Sequence, residues 1–121
     1  MRILIVDDQA LSRKMVETAL KEMGFDNLAM AESGVEAVEF LSSNTVDVVI
    51  ADWRMPGLNG LDLLKWVRSE AAIKDLPVLM LTGDRAKESV VAALQSGVSD
   101  YLVKPFSEAQ LAGKLARIGK D

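Results

Sequence analysis

The stretch Val46-Asp47-Val48-Val49-Ile50-Ala51-Asp52 decides how the chain folds. Residues 46–51 form a short run of mostly β-branched apolar residues, too short for a helix, and a carboxylate at Asp52 ends it. A strand of this kind belongs inside a sheet. Similar runs recur on both sides. Upstream, Ile3-Leu4-Ile5-Val6 is unbroken and is followed at once by Asp7 and Asp8, and residues 28–31 form another short run. Downstream, Pro77 introduces Val78 to Leu81, which ends at Thr82, and Tyr101-Leu102-Val103 ends at Lys104-Pro105.

Helical periodicity fills the gaps between these runs. From about Gln9 to Met23, Leu11, Met15, Ala19, Leu20 and Met23 share a helical spacing, and Gly24 stops the helix. Ser33 is placed to cap a second helix carrying Val35, Ala37, Val38 and Leu41. Pro56-Gly57 marks a loop, and Leu61, Leu64 and Val67 predict a third helix over 61–68. A fourth is expected from about Arg85 to Gln95 before Gly97. Ser107 and Gln110 resemble a capping box for a fifth helix that runs to about Ile118. Five strands alternating with five helices imply parallel pairing with right-handed crossovers and helices on both faces.

Polar residues fall where the strands end. Ligands of open parallel α/β sheets bind outside the carboxyl ends of the strands, so residues 7, 8, 52, 82 and 104 are expected in one pocket. Three crowded carboxylates favour a hard cation with oxygen ligands, and magnesium, or manganese in its place, suits that set. An aspartate can also serve as the nucleophile in phosphoryl transfer. Lys104 and Thr82 would then supply positive charge and a hydrogen-bond donor to the phosphoryl oxygens.

Composition narrows the alternatives. The 121 residues suit one domain spanning 1–121. With no cysteine and no histidine, thiolate sites, disulfides and imidazole bases are excluded. A net charge of -4, from 18 acidic and 14 basic residues, argues against direct nucleic-acid binding. No apolar stretch approaches a membrane span or a signal-peptide core, so the expected setting is the cytoplasm.

Taken together, Val6-Asp7-Asp8, Asp52-Trp53-Arg54-Met55-Pro56-Gly57 with Gly60, Leu81-Thr82-Gly83 and Tyr101-Leu102-Val103-Lys104-Pro105-Phe106 resemble a response-regulator receiver domain of two-component systems. The likeness covers the whole chain and is strongest to the single-domain chemotaxis type. It implies a flavodoxin-like sheet of strand order 2-1-3-4-5. It also implies that Asp52 is the phosphoacceptor, switched by a histidine kinase or a histidine phosphotransfer protein. In the family's pattern, Asp8, Asp52 and the Arg54 backbone carbonyl ligate magnesium directly, and Asp7 acts mainly through water. Lys104 and Thr82 contact the phosphoryl group, and Tyr101 is the switch aromatic. The Lys104–Pro105 bond is expected to be cis. Tyr101 also reads as an ordinary core aromatic.

A small residue at Gly83 would leave room for a phosphodonor. Arg54 and Asp84, opposite in charge at the mouth, are expected to tune hydrolysis of the acyl phosphate. Residues 90–94 are five consecutive apolar positions, more than one buried stripe can hide. Lys87, Val90 and Leu94 share one face, with Tyr101, Val103, Lys114 and Arg117 expected nearby. The resemblance implies that this region of the fourth helix, fifth strand and fifth helix is an output face, acting as a monomer or a phosphorylation-promoted dimer. A wide buried helix face is the competing reading.

Rival classes lack their own signatures. A flavodoxin relative needs a hydroxyl- and glycine-rich phosphate loop after the first strand, where this chain has Asp7-Asp8-Gln9. A GTPase needs a Gly-rich loop ending in Lys-Ser/Thr. A dehalogenase-type phosphatase needs a second acid at residue 9. A pseudo-receiver scaffold would not need all five pocket residues, and one receiver cut from a longer regulator would carry the same ones.

Overall fold

The computed structural model describes residues 1–83 and 87–118, except for the side chains of residues 87–90. Its strands are β1 (Ile3–Val6), β2 (Leu28–Ala31), β3 (Val48–Asp52), β4 (Val78–Thr82) and β5 (Asp100–Val103). Its helices are α1 (Ala10–Glu22), α2 (Gly34–Ser43), α3 (Gly60–Ser69), α4 (Lys87–Gln95) and α5 (Glu108–Ile118). The strands pair in parallel in the order β2-β1-β3-β4-β5, the flavodoxin-like arrangement expected from the sequence.

Strand alternation splits the core into two layers. Ile3, Ile5, Val48, Ile50, Leu79, Leu81 and Leu102 pack against Val16 and Leu20 of α1 and Leu111 and Leu115 of α5. Leu4, Val6, Val49, Ala51 and Met80 face the other way, against α2 and α3. Because β1, β3 and β4 are covered on both sides, they tolerate no polar residue until they end. The register sets Val6 beside Ala51, Asp52 beside Leu81 and Thr82 beside Val103. The polar residues at these strand ends therefore emerge along one edge.

Local chemistry sets the helix ends. The Ser33 hydroxyl accepts from the Glu36 amide at 3.1 Å. Ser107 and Gln110 close a reciprocal box at 2.8 and 3.1 Å. Gly24, at φ 94°, supplies the left-handed turn after α1.

Several boundaries and faces differ from expectation. β3 begins at Val48 rather than Val46, because the Asp47 carboxylate turns back to accept from the Arg2 amide at 2.6 Å. β5 begins one residue early, at Asp100. In α1 the buried residues are Val16 and Leu20, while Leu11 and Met15 are exposed. In α3 the buried face is Leu63, Leu64 and Val67, with Leu61 only half-buried. Asn59, which periodicity does not reveal, caps α3 in a full capping box with Asp62.

One close approach fixes the loop after β3. Gly60 is buried, and its amide donates to the Trp53 carbonyl at 3.1 Å. A Cβ there would run into the Asp52 carbonyl oxygen, and would meet the Met80 sulfur at 2.8 Å. Alanine is ordinarily the better helix residue by about 1 kcal/mol. Gly60→Ala is nevertheless expected to destabilise the protein by about 1–3 kcal/mol, read as a lower urea midpoint with unchanged m-value.

Candidate functional site

The carboxyl edge of the sheet collects the polar residues expected there. Asp7, Asp52 and Thr82 are buried at 1%, 8% and 4% exposure, and Asp8 is exposed at the rim. Carboxylate oxygens of Asp7, Asp8 and Asp52 lie within 4.8 Å of one another. At that separation, ionised Asp7 and Asp52 repel by roughly 3 kcal/mol for an effective dielectric near ~20.

Lys104 is the one cation whose ammonium is shown to reach the cluster among the described residues. Its Nζ lies 3.1 Å from Asp52 Oδ2, 3.6 Å from Asp7 Oδ2 and 3.1 Å from Ser12 Oγ. The Lys104 amide donates to the Thr82 carbonyl at 2.8 Å, which ties the start of this turn to the end of β4. The Lys104–Pro105 peptide is cis.

Each aspartate has a different set of partners. Asp7 Oδ1 accepts from the Gln9 amide at 2.9 Å, and its Oδ2 is buried with no hydrogen-bond partner. Asp52 Oδ1 accepts from the Arg54 amide at 3.4 Å. Burial pushes the Asp52 carboxyl above the usual carboxylate range, and the Asp7 charge adds to this; Lys104 and the Arg54 amide pull the other way. An orphaned buried carboxylate oxygen beside two more carboxylates matches the demand of a hard divalent cation. The residues present therefore fit one.

Around this centre the walls are uneven. A cleft of about 360 Å³, lined by Asp8, Trp53, Arg54, Met55, Pro56 and Asn59, opens beside the acids. Arg54 is exposed at its mouth, and Gly83 is exposed with open space where a side chain would project. Asp84 lies outside the described residues, as do the side chains of Lys87 and Val90.

The expected output face is only partly assembled. Tyr101 is half-buried against the α2/α3 layer, and Lys114 Nζ lies 5.6 Å from its ring centroid. Lys114 and Arg117 both pair with Asp100, at 3.0 and 3.8 Å. Val103 is half-buried, whereas Val91 and Leu94 of α4 are exposed. Ser12 was not among the expected pocket residues. Its only trace in the sequence is its position four residues after Asp8, one helical turn into α1.

Comparison with known proteins follows the same lines. A family model described as a response regulator receiver domain matches residues 3–116. The chain is 44% identical over 118 residues to chemotaxis protein CheY-3 of Vibrio cholerae, covering 98% of this chain and 91% of that one. It superposes on a response regulator from Chloroflexus aurantiacus with a TM-score of 0.94 at 35% identity, over 99% of this chain and 98% of that one. The receiver domain of a sensor histidine kinase from Pseudomonas aeruginosa, solved with a magnesium ion coordinated in the active site cleft, superposes with a TM-score of 0.88 at 28% identity, over 98% of each chain.

The raised Asp52 pKa has a consequence for stability. The native state keeps the Asp52 proton at pH values where the unfolded chain has lost it. Stability therefore falls as pH rises from the ordinary value of 3.8 through the raised one, then levels off. Asp52→Asn, which removes the charge at nearly constant shape, is expected to melt above the wild type at neutral pH without divalent cations, with the gap closing in acid. Magnesium at a hundredfold excess over its dissociation constant should stabilise the wild type by about 2.7 kcal/mol and the variant much less. Thermal melts across pH, with and without magnesium, check both.

Proposed function

The chain belongs to the response regulator receiver domain family, and on that premise we propose that Asp52 takes a phosphoryl group from a phosphohistidine of a kinase or phosphotransfer protein. Phosphoryl acceptance is the activity of this family, and receivers act as phosphorylation switches rather than turning over a separate substrate. The observation that carries the assignment to Asp52 is its position. It is a buried carboxylate at the end of β3, with Lys104 Nζ at 3.1 Å and an Asp7 oxygen that has no hydrogen bond beside it.

The chemistry balances with these groups. One Asp52 oxygen attacks phosphorus as the P–N bond to the donor imidazole breaks, and the imidazole nitrogen keeps the electron pair and picks up a proton. Asp7, Asp8, Asp52 and the Arg54 carbonyl would hold magnesium, or manganese in its place, and Asp7 would act mainly through water. The bound cation offsets the crowded carboxylates and supplies positive charge to the phosphoryl oxygens. Lys104 follows those oxygens with its ammonium, and Thr82 offers its hydroxyl to one of them. Gly83 leaves the approach open to the donor.

Downstream, the acyl phosphate biases a two-state equilibrium. Thr82 moves toward the phosphoryl group and Tyr101 turns inward into the space it leaves. The altered face of α4, β5 and α5, carrying Lys87, Val90, Leu94, Tyr101, Val103, Lys114 and Arg117, is what an output partner reads, as a monomer or a phosphorylation-promoted dimer. The likeness to chemotaxis proteins supports a motility output. Arg54 and Asp84 set how readily water reaches the acyl phosphate, so the domain governs its own dephosphorylation. The cytoplasm is the compartment this assigns; among the described residues no helix is long and apolar enough to cross a membrane. The whole chain, 1–121, acts as one receiver domain.

Incubation with magnesium and acetyl phosphate, followed by intact-mass measurement, is expected to show one phosphoryl adduct that Asp52→Asn abolishes. An adduct that survived that substitution would place the acceptor elsewhere. Lys104→Ala should slow labelling by about a hundredfold, the usual cost of removing one charge-stabilising donor.

A further inference from the structure

Lys104 has a third partner that the acidic pocket does not account for. Its ammonium carries three donors. One reaches Asp52 Oδ2 at 3.1 Å, and Asp7 Oδ2 lies at 3.6 Å, an ion-pair distance rather than a hydrogen bond. The remaining short contact is to Ser12 Oγ, 3.1 Å away on α1. We propose that Ser12 is a positioning residue for phosphoryl transfer: its hydroxyl holds the Lys104 ammonium at the edge of the carboxylate pair before the phosphoryl group arrives. The proposal rests on Asp52 being the phosphoacceptor.

The hydroxyl is itself held in place. Arg13, the next residue, donates from Nη1 to the Asp7 carbonyl at 2.7 Å. The Arg13 amide donates to the Gln9 carbonyl at 2.9 Å. The first turn of α1 is thereby fixed to the end of β1, and Ser12 stands at a set place relative to the carboxylates. Lysine has a long flexible stem, and confining its ammonium has an entropic cost. A neutral acceptor on a rigid helix meets part of that cost in the ground state without adding negative charge to an acidic pocket. A third carboxylate partner for Lys104 would hold it more tightly away from the incoming phosphoryl oxygens. An apolar residue would leave it to Asp52 and Asp7 alone.

The site also has room for a control. Ser12 lines an apolar groove of about 520 Å³ together with Leu11, Met15, Pro105 and Phe106. The extra methyl of threonine can enter this groove while the hydroxyl is retained.

The test measures labelling by acetyl phosphate in saturating magnesium for wild type, Ser12→Ala and Ser12→Thr. In this reaction an Asp52 oxygen bonds to phosphorus, the P–O bond to the acetyl group breaks, and acetate leaves with the electron pair. Ser12→Ala is expected to slow labelling roughly three- to tenfold, the loss of one modest hydrogen bond in the transition state. Ser12→Thr should restore the rate. Magnesium midpoints read from Trp53 fluorescence should match in all three proteins. Labelling of Ser12→Ala at the wild-type rate overturns the proposal, as does Ser12→Thr labelling as slowly as Ser12→Ala. A wild type that forms no adduct overturns the Asp52 assignment itself, and the role of Ser12 falls with it.

Discussion

The ion pair between Lys104 and Asp52 is the contact on which the rest of the arrangement depends. The two residues are 52 positions apart, and only a sheet that sets β4 between β3 and β5 brings them to 3.1 Å. The Thr82 carbonyl anchors the Lys104 amide, so the cation is delivered from the next strand end but one. Without it, two buried carboxylates would face each other with no positive charge between them, an arrangement that native interiors avoid. The pair does not fully satisfy the site. Asp7 keeps an oxygen with no hydrogen bond, and Asp52 stays harder to ionise than an ordinary aspartate. With three carboxylates against one ammonium, the pocket is short of two units of positive charge, which is what a divalent cation brings.

That deficit separates the two ends of the molecule. At the opposite edge of the sheet, Arg68 donates to the carbonyls of Gly97, Lys74 and Leu76 at 2.8, 3.1 and 2.6 Å. There a guanidinium is used to close loops, and its partners are neutral. Charge is left unbalanced at the carboxyl edge, whereas at the other edge it is used to fix loops.

Much of this was legible in the sequence, for a definite reason. A strand covered on both faces is apolar until it ends, so Asp7 stands out as the first polar residue after a buried run. Asp52 and Thr82 stand out as the polar residues that close one, while Lys104 follows the shorter apolar run of the edge strand β5. Parallel alternation then places them on one edge without knowledge of a single distance. The helices were less legible. Of the expected stripe, Leu20 is buried and Ala19 and Met23 pack against the core, but Leu11 and Met15 are exposed and Val16, which was not in it, is buried instead. Periodicity identifies apolar stripes without saying which of two neighbours faces inward. Val46 read as strand, yet Asp47 prefers the Arg2 amide and delays β3 by two residues. Ser12 left no pattern, because its partner lies 92 residues away and a lone serine on a helix is unremarkable.

The separation of these partners along the chain also sets an order of events during synthesis. The ribosome releases both buried acids and the three strands β2, β1 and β3 long before Lys104 leaves the exit tunnel. A nascent chain of that length has the carboxylates and half of the core layers, but neither the last strand nor the counter-charge. Its acidic edge gains the Lys104 ammonium only when β5 pairs with β4. The same contact that serves the chemistry is therefore missing from any chain that stops short of β5, which presents its carboxylates without the Lys104 counter-charge.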